Sequence, residues 1–163
     1  MARIHVYGVD HVGDNDQGKT KVLAGGDIVT GAFDFDARGG NLTVIFETVT
    51  DANDIYTVMG QEKFGRLTRS NPQVDTWKLP QIKHVSWTGA DGDECHGILE
   101  LPPGYTEGDG PLPTIIELHG GPTSSTKYRL RLWIYGRALM AANGYALLSP
   151  NYHGSTGYGD AFL

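Results

Sequence analysis

Two short segments of the chain carry the residue types that could do chemistry. The first, residues 117–122, reads Glu-Leu-His-Gly-Gly-Pro and follows the apolar residues Ile115 and Ile116. The apolar run predicts a buried strand, and glycines after it let a ligand approach backbone N–H groups that no side chain shields. Such amides suit an oxyanion hole, which stabilises the charge that develops on a carbonyl oxygen during acyl transfer. We therefore predict Gly120 and Gly121 as the oxyanion loop.

The second segment, residues 149–159, reads Ser-Pro-Asn-Tyr-His-Gly-Ser-Thr-Gly-Tyr-Gly. Ser155 looks like a nucleophile, but a nucleophile elbow needs glycine two places before and two places after the serine, and His153 stands at the first of these. The segment is therefore predicted to form a loop beside the site. Asn151, Tyr152 and Tyr158 are expected either to orient this loop or to lie near the substrate.

Together the two segments resemble the start of the catalytic domain in the prolyl oligopeptidase family of serine peptidases, particularly its acylaminoacyl peptidase and dipeptidyl peptidase branches. The resemblance implies that the N–H of Gly121 and that of the residue after the nucleophile form the oxyanion hole. It implies hydrolysis of short peptides or acyl-peptides by a Ser-Asp-His triad, with a peptide as substrate and no cofactor. The sequence contains no Gly-x-Ser-x-Gly. None of the triad is identified, so we expect a chain truncated before the catalytic serine and inactive alone.

His119 is expected to orient the loop through a side-chain hydrogen bond. The catalytic histidine of the resembled family comes last in sequence, and no serine is expected to reach His119, so it is not predicted to be a base. A further hypothesis is that its ring N–H aids the oxyanion. Pro122 favours the peptidase interpretation. His153 stands where the family pattern usually has arginine, and a neutral histidine cannot replace that permanent charge.

The first half of the chain predicts short antiparallel strands. Apolar runs at 28–35, 42–49, 55–59 and 64–68 recur at about ten-residue spacing, separated by turn residues. They resemble the last blade, about 28–68, of the family's β-propeller, with 3–9 and 21–24 as outer strands of the preceding blade. Prolines at positions 72 and 80 interrupt this pattern. The predicted domains are therefore a partial propeller over 1–72 and a linker over 73–81.

The second half predicts the N-terminal portion of an α/β-hydrolase domain over 82–163. A hairpin is expected from 82–88 and 95–101, and parallel strands are expected at 115–118 and 145–148 around a crossover helix from about 128 to 142. The helical spacing is set by Leu130, Trp133, Ile134, Ala138 and Ala141. The predicted fold class is therefore mixed, with the C-terminal part of a propeller followed by the start of a hydrolase domain.

Composition excludes several function classes. The net charge of −6 argues against nucleic acid as a partner, and no apolar run approaches the roughly 18 residues of a membrane span. The start of the chain does not have the long apolar region of a secretory signal, so a cytoplasmic location is expected.

Cys95 is predicted to be a buried structural thiol, and no spacing resembles a metal site. The histidines that look isolated are His5, His11, His84 and His96. Strand 145–148 is expected to lack its next neighbour, which predicts aggregation or a homo-oligomer.

Two alternatives stay open at the level of the sequence. An esterase or lipase of the α/β-hydrolase type also places His-Gly-Gly before its first helix, although Pro122 and the upstream strands argue against it. The second alternative is a non-catalytic propeller-type binding module, in which the C-terminal strands would be an addition without a catalytic role. A Gly-x-Ser-x-Gly, an aspartate and a histidine in the following coding sequence would distinguish the peptidase from the binding module.

Overall fold

The computed structural model describes residues 3–9, 19–36, 38–121, 123–132 and 136–163. The chain divides into two compact units, Arg3–Val74 and Asp75–Leu163. Within the described residues, both units consist mostly of antiparallel strands, with one short α-helix and two 3-10 turns. The described part contains no helix long and apolar enough to cross a bilayer.

The first unit is built around a four-stranded antiparallel sheet. Its strands pair in chain order, so the predicted meander is confirmed. They are β3 (Val29–Asp36), β4 (Asn41–Glu47), β5 (Asp54–Gly60) and β6 (Lys63–Arg66). A separate antiparallel pair precedes them, formed by β1 (Val6–Val9) and β2 (Thr20–Ala24). Short alternating apolar runs separated by turn residues give this arrangement because successive side chains in a strand point to opposite faces.

One face of the four-stranded sheet carries the core of this unit. Leu42, Val44 and Phe46 alternate along β4 and are buried, and the Phe46 ring stacks on Tyr56 with centroids 3.9 Å apart. The turn before β4 is held by Asp36, whose carboxylate accepts hydrogen bonds from the N–H groups of residues 38 and 39. These bonds lower the pKa of Asp36, and they are the side-chain-to-backbone contacts typical of an aspartate in a turn.

The second unit contains a mixed sheet whose strands lie in the order β7–β8–β10–β9. The strands are β7 (Gln81–Thr88), β8 (Glu94–Leu101), β9 (Thr114–Ile116) and β10 (Ala146–Asn151). The predicted hairpin of β7 and β8 and the parallel pair of β9 and β10 are confirmed. Cys95, on β8, is buried as predicted.

The prediction that the strand at 145–148 lacks a neighbour is wrong. β10 lies between two strands because its residues 147–151 pair antiparallel with β8 while its first half pairs with β9. Among the described strands, β9 is instead the edge beside β10. The sequence missed this because the antiparallel contact joins segments about fifty residues apart, and pattern alone does not encode such a pairing.

The predicted helix from 128 to 142 is wrong in its first part. The α-helix, α1, spans Arg137–Ala142, and residues 128–132 are not helical. Gly136, at φ 59° and ψ 34°, has a left-handed backbone that cannot belong to a right-handed helix. Trp133 and Ile134 lie outside the described residues. α1 ends at residue 142 as predicted, and the N–H of Gly144 just beyond it bonds to the carbonyl of Ala141 at 3.0 Å.

Candidate functional site

The loop that follows β9 opens onto a cavity of about 920 Å³. Ile115, Ile116 and Leu118 contribute apolar lining, and His119 and Gly120 continue the wall. The N–H of Glu117 still donates to the carbonyl of Leu148 at 2.9 Å, so the parallel ladder reaches this point before the backbone leaves the sheet. A strand that ends in a loop at the rim of a cavity presents backbone groups to a ligand.

Gly120 and Gly121 differ in their surroundings. A Cβ at Gly120 would meet nothing within 4 Å, whereas a Cβ at Gly121 would lie 2.9 Å from the backbone nitrogen of Thr123. Within the described ranges, no acceptor receives a hydrogen bond from the N–H of either glycine. Gly120 therefore lies beside open space, and Gly121 is a glycine because the loop turns back on itself. Pro122 lies outside the described residues.

His119 is held in place by four contacts. Its Nδ1 lies 3.3 Å from the carbonyl oxygen of Gly120, its ring stacks on Tyr152 with centroids 4.6 Å apart, and the Tyr152 hydroxyl donates to the His119 carbonyl. The fourth contact joins Nε2 to the Ser155 Oγ at 2.9 Å. A carbonyl oxygen only accepts, so the Nδ1 carries the proton and a neutral ring accepts at Nε2 from the serine hydroxyl.

The expectation that no serine reaches His119 is wrong. Ser155 reaches it because the N–H of Ser155 bonds to the carbonyl of Tyr152 at 2.9 Å, in a turn that folds the serine back towards the imidazole. Gly154, at φ 91°, makes this turn possible. Ser155 is 0% exposed, so its hydroxyl is not accessible to a substrate in this arrangement.

The loop after β10 is fastened to the loop after β9 through Asn151. The Asn151 Oδ1 accepts from the Thr126 N–H at 2.7 Å, and its Nδ2 donates to the Thr126 carbonyl at 3.1 Å. The same Nδ2 lies 3.1 Å from the Tyr158 hydroxyl. Burial raises the pKa of Tyr158, so its hydroxyl stays protonated at neutral pH. Asn151, Tyr152 and Tyr158 thus lie together as supports of the loop, and a contact with substrate stays a prediction.

His153 contacts residues outside this group. Its Nε2 lies 2.9 Å from a carboxylate oxygen of Asp93, in the turn between β7 and β8, and its ring stacks on Phe162 at 4.3 Å. The histidine that stands in place of the expected arginine therefore still contacts a carboxylate. The ion pair exists only when the imidazole is protonated, whereas an arginine would keep its charge throughout the neutral range.

A buried charged cluster behind the loop was not predicted from the sequence. Arg137 of α1 donates through Nε to the carboxylate of Glu117 and lies 3.7 Å, through Nη1, from that of Glu100 on β8. Burial raises the pKa of Glu100 to about 7, with Arg137 opposing the shift. The bond from Arg137 lowers the pKa of Glu117. The sequence did offer a signal for this cluster, since Glu100 and Glu117 each stand in an apolar run. A charge at such a position is costly unless it is paired.

Two of the histidines that were expected to be isolated, His84 and His96, lie close to each other. The rings of His84 and His96 lie 5.1 Å apart on neighbouring strands, and His96 stacks on Tyr158. His5 bonds to the carbonyl of Gly26, and His11 lies outside the described residues. In the part of the chain that the structure describes, no three His, Cys, Asp or Glu side chains are grouped to hold a metal ion.

Comparisons with known proteins relate this chain to peptidases. It is 34% identical over 80 residues to the acylamino-acid-releasing enzyme of Sus scrofa, which is 49% of this chain and 10% of that enzyme. It is 30% identical over 115 residues to the peptidase YuxL of Bacillus subtilis, which is 68% of this chain and 16% of that protein. The chain thus spans about a tenth to a sixth of the length of these relatives. No protein-family model matches it.

A solved structure agrees with these relatives. The acylaminoacyl peptidase of Pyrococcus horikoshii superimposes with a TM-score of 0.76 at 26% identity, over 99% of this chain and 24% of that one. The mostly antiparallel sheets described above therefore have a counterpart in a peptidase of known structure, and the similarity extends through both compact units.

Proposed function

We propose that this chain, a member of the prolyl oligopeptidase family of peptidases, forms the part of a serine peptidase that holds the oxyanion of the reacting carbonyl. The substrate of the whole protein would be a short peptide or an acyl-peptide. The observation that carries the proposal is the loop after β9, where two glycine amides have no acceptor among the described residues and Gly120 lines a cavity.

The proposed fold places two incomplete domains in this chain. The antiparallel meander of β3 to β6 has the form of one propeller blade, and residues 1–72 would belong to the propeller, followed by a linker over 73–81. The mixed sheet would be the N-terminal portion, over 82–163, of an α/β-hydrolase domain. In support, β9 and β10 are parallel, and α1 lies between them in sequence, as a right-handed crossover requires.

The chemistry proposed for the loop is electrostatic. As the carbonyl carbon becomes tetrahedral, its oxygen gains negative charge, and an N–H already aimed at that oxygen stabilises the transition state more than the substrate. The Gly121 N–H would be one donor, and the residue after the nucleophile would supply the other. His119 would hold the loop in place through Ser155 and Tyr152, since every one of its described contacts is to a loop residue.

The proposal predicts that the 163 residues alone do not hydrolyse a peptide. They contain no Gly-x-Ser-x-Gly, so the nucleophile would have to come from elsewhere in the protein. The experiment compares this chain with the product of its complete coding region, using acetyl-alanyl and dipeptidyl p-nitroanilides. We expect turnover only from the longer protein, and hydrolysis by the short chain above the rate of its Gly121 variant would contradict the predicted inactivity.

Variants of the two glycines test the loop within the longer protein. Gly121→Ala places a methyl against the Thr123 backbone, so the loop must shift, and kcat should fall by about 10²- to 10³-fold, the effect of losing one oxyanion donor. Gly108→Ala, in the exposed turn Glu107–Asp109, is the matched control because the nearest atom to its Cβ would be 4.0 Å away, and it should leave kcat unchanged. Equal kcat values for the Gly121 variant and the parent would exclude Gly121 as a donor.

A further inference from the structure

A single arginine joins the helix of the second unit to the start of the glycine loop. Arg137, the first residue of α1, donates through Nε to the carboxylate of Glu117. Glu117 is itself bonded to β10 through its N–H and stands just before the loop that contains Gly120. We propose that Arg137 is a positioning residue of the oxyanion loop, and that an ionised Glu100 competes with Glu117 for its guanidinium. The inference rests on the proposed function and adds to it a control over the geometry of the loop.

The guanidinium of Arg137 is bonded to one carboxylate and only approaches the other. Its Nη1 lies 3.7 Å from the Oε1 of Glu100, beyond the roughly 3.2 Å of a normal N–H···O hydrogen bond. Its Nη2 is buried and has no hydrogen-bond partner among the described residues. The arginine therefore still has donors to offer, and a move of about 1 Å towards β8 would bring Glu100 within hydrogen-bond distance.

The competition between the two carboxylates takes place away from water. Arg137 and Glu100 are 3% and 2% exposed, and the residues that pair with Glu100 on β7 and β10 are apolar. The charged groups that act on Glu100 are Arg137, Glu117 and Arg131, and Arg131 is attracted to both carboxylates. Little water screens charges in such a place. A negative charge on Glu100 therefore pulls strongly on the guanidinium of Arg137.

Glu100 changes its charge in the neutral range. Burial raises the pKa of Glu100 to about 7, although Arg137 opposes the shift. While Glu100 is neutral, Arg137 holds Glu117 alone, which is the bond that the structure contains. Once Glu100 is ionised, the guanidinium moves towards β8, its bond to Glu117 weakens, and the loop that follows is less firmly fixed. Because oxyanion donors act only when they are already aimed, kcat should then fall.

The test compares kcat of the longer protein with that of its Glu100→Gln variant at about pH 6 and about pH 8.5. The variant removes the ionisation and keeps the shape, and the ratio of the two kcat values cancels the pH dependence of the triad. The ratio of parent to variant should be about 1 at the lower pH and about three- to tenfold smaller at the higher pH, less than the effect of losing one donor outright. KM should not change, since the donors act in the transition state. Glu107→Gln, in the exposed turn Glu107–Asp109, is the control and should give the same ratio at both pH values.

Hydrogen exchange supplies a readout that does not depend on activity. The Glu117 N–H bonds to the carbonyl of Leu148, so its exchange, followed by mass spectrometry, reports how firmly the start of the loop is held. This amide should exchange about threefold faster in the parent than in Glu100→Gln at the higher pH, and equally fast at the lower pH. Arg137→Lys keeps the charge but loses the Nε–H, so it should lower kcat about three- to tenfold at both pH values. Arg38→Lys, at an exposed position of the first unit, should not.

The outcomes separate this inference from the proposed function. A ratio of parent to Glu100→Gln that is the same at both pH values would overturn the inference, and if Gly121→Ala still lowers kcat in the same series, the proposed function stands without it. If the exchange of the Glu117 amide depends on Glu100 as expected but Gly121→Ala leaves kcat unchanged, the proposed function fails while Arg137 still holds Glu117.

Discussion

At the scale of single residues, the pair formed by His119 and Ser155 looks like part of a triad but has another role. The serine hydroxyl is fully buried and the imidazole is stacked on Tyr152, so neither group is placed to attack a carbonyl. The hydrogen bond fixes the neutral tautomer with its proton on Nδ1, which in turn holds the carbonyl of Gly120. A pair of this kind sets the conformation of the glycine loop.

Removing the Ser155 hydroxyl should therefore loosen the loop. In Ser155→Ala the partly buried His119 Nε2 loses its hydrogen-bond donor, which should lower the free energy of unfolding by about 0.5–1.5 kcal/mol. The Nδ1–H tautomer should also lose its preference, visible as altered 15N shifts in a long-range correlation spectrum. Ser86→Ala, at an exposed serine of β7, is the control. An unchanged tautomer in Ser155→Ala would contradict this role.

At the scale of elements, α1 is tied to the two strands on which the site is built. Arg137 at its first turn bonds to Glu117, which follows β9, and approaches Glu100 on β8. The attraction of Arg137 does not compensate for the burial of Glu100, whose pKa is raised to about 7 from its ordinary value of 4.5. The folded protein thus holds this proton more tightly than the unfolded chain does.

The pH dependence of stability follows from that difference. A raised pKa stabilises the folded state below pH 4.5, and this contribution is lost as the pH rises to about 7. Glu100→Gln removes the ionisation and keeps the shape, so the variant should be more stable than the parent by about 2–3 kcal/mol at pH 8 and by little at pH 5. Urea unfolding at both pH values measures this. Glu107→Gln, at an exposed position of the turn Glu107–Asp109, should show no such difference, and an equal gain for Glu100→Gln at both pH values would contradict the linkage.

The strands could be predicted from the sequence, whereas α1 and the contacts of the site could not. Alternating apolar residues such as Leu42, Val44 and Phe46 fix a face locally, so the meander and the hairpin were found. The helix was predicted too long because apolar residues recur at helical spacing from position 128, and Gly136 was not recognised as the residue before its start. The glycine pair was found from local sequence, but the bond from Ser155 to His119 joins two loops 36 positions apart, and no local pattern reports it.

At the scale of the whole molecule, apolar surface is left uncovered in both units. Phe33 and Phe35 of β3 are more than half exposed in the first unit, and in the second Ile116 on the edge strand β9 is 63% exposed and Leu118 just beyond it 66%. Strand edges with exposed apolar side chains are templates for pairing with another chain. In a longer peptidase these surfaces would be covered by neighbouring strands, as its proposed fold requires.

The 163-residue chain on its own should therefore self-associate, with β9 as one contact. Sedimentation velocity over a range of concentrations should show a rising mean mass. Ile116→Lys places a charge on the edge and should shift association to higher concentration by about tenfold, since edge lysines oppose strand pairing. Thr88→Lys adds the same charge at the end of β7, on the opposite edge, and should have a smaller effect because that edge carries polar side chains such as His84 and Ser86. A monomer at every concentration, or equal effects of the two lysines, would show that β9 is not the contact.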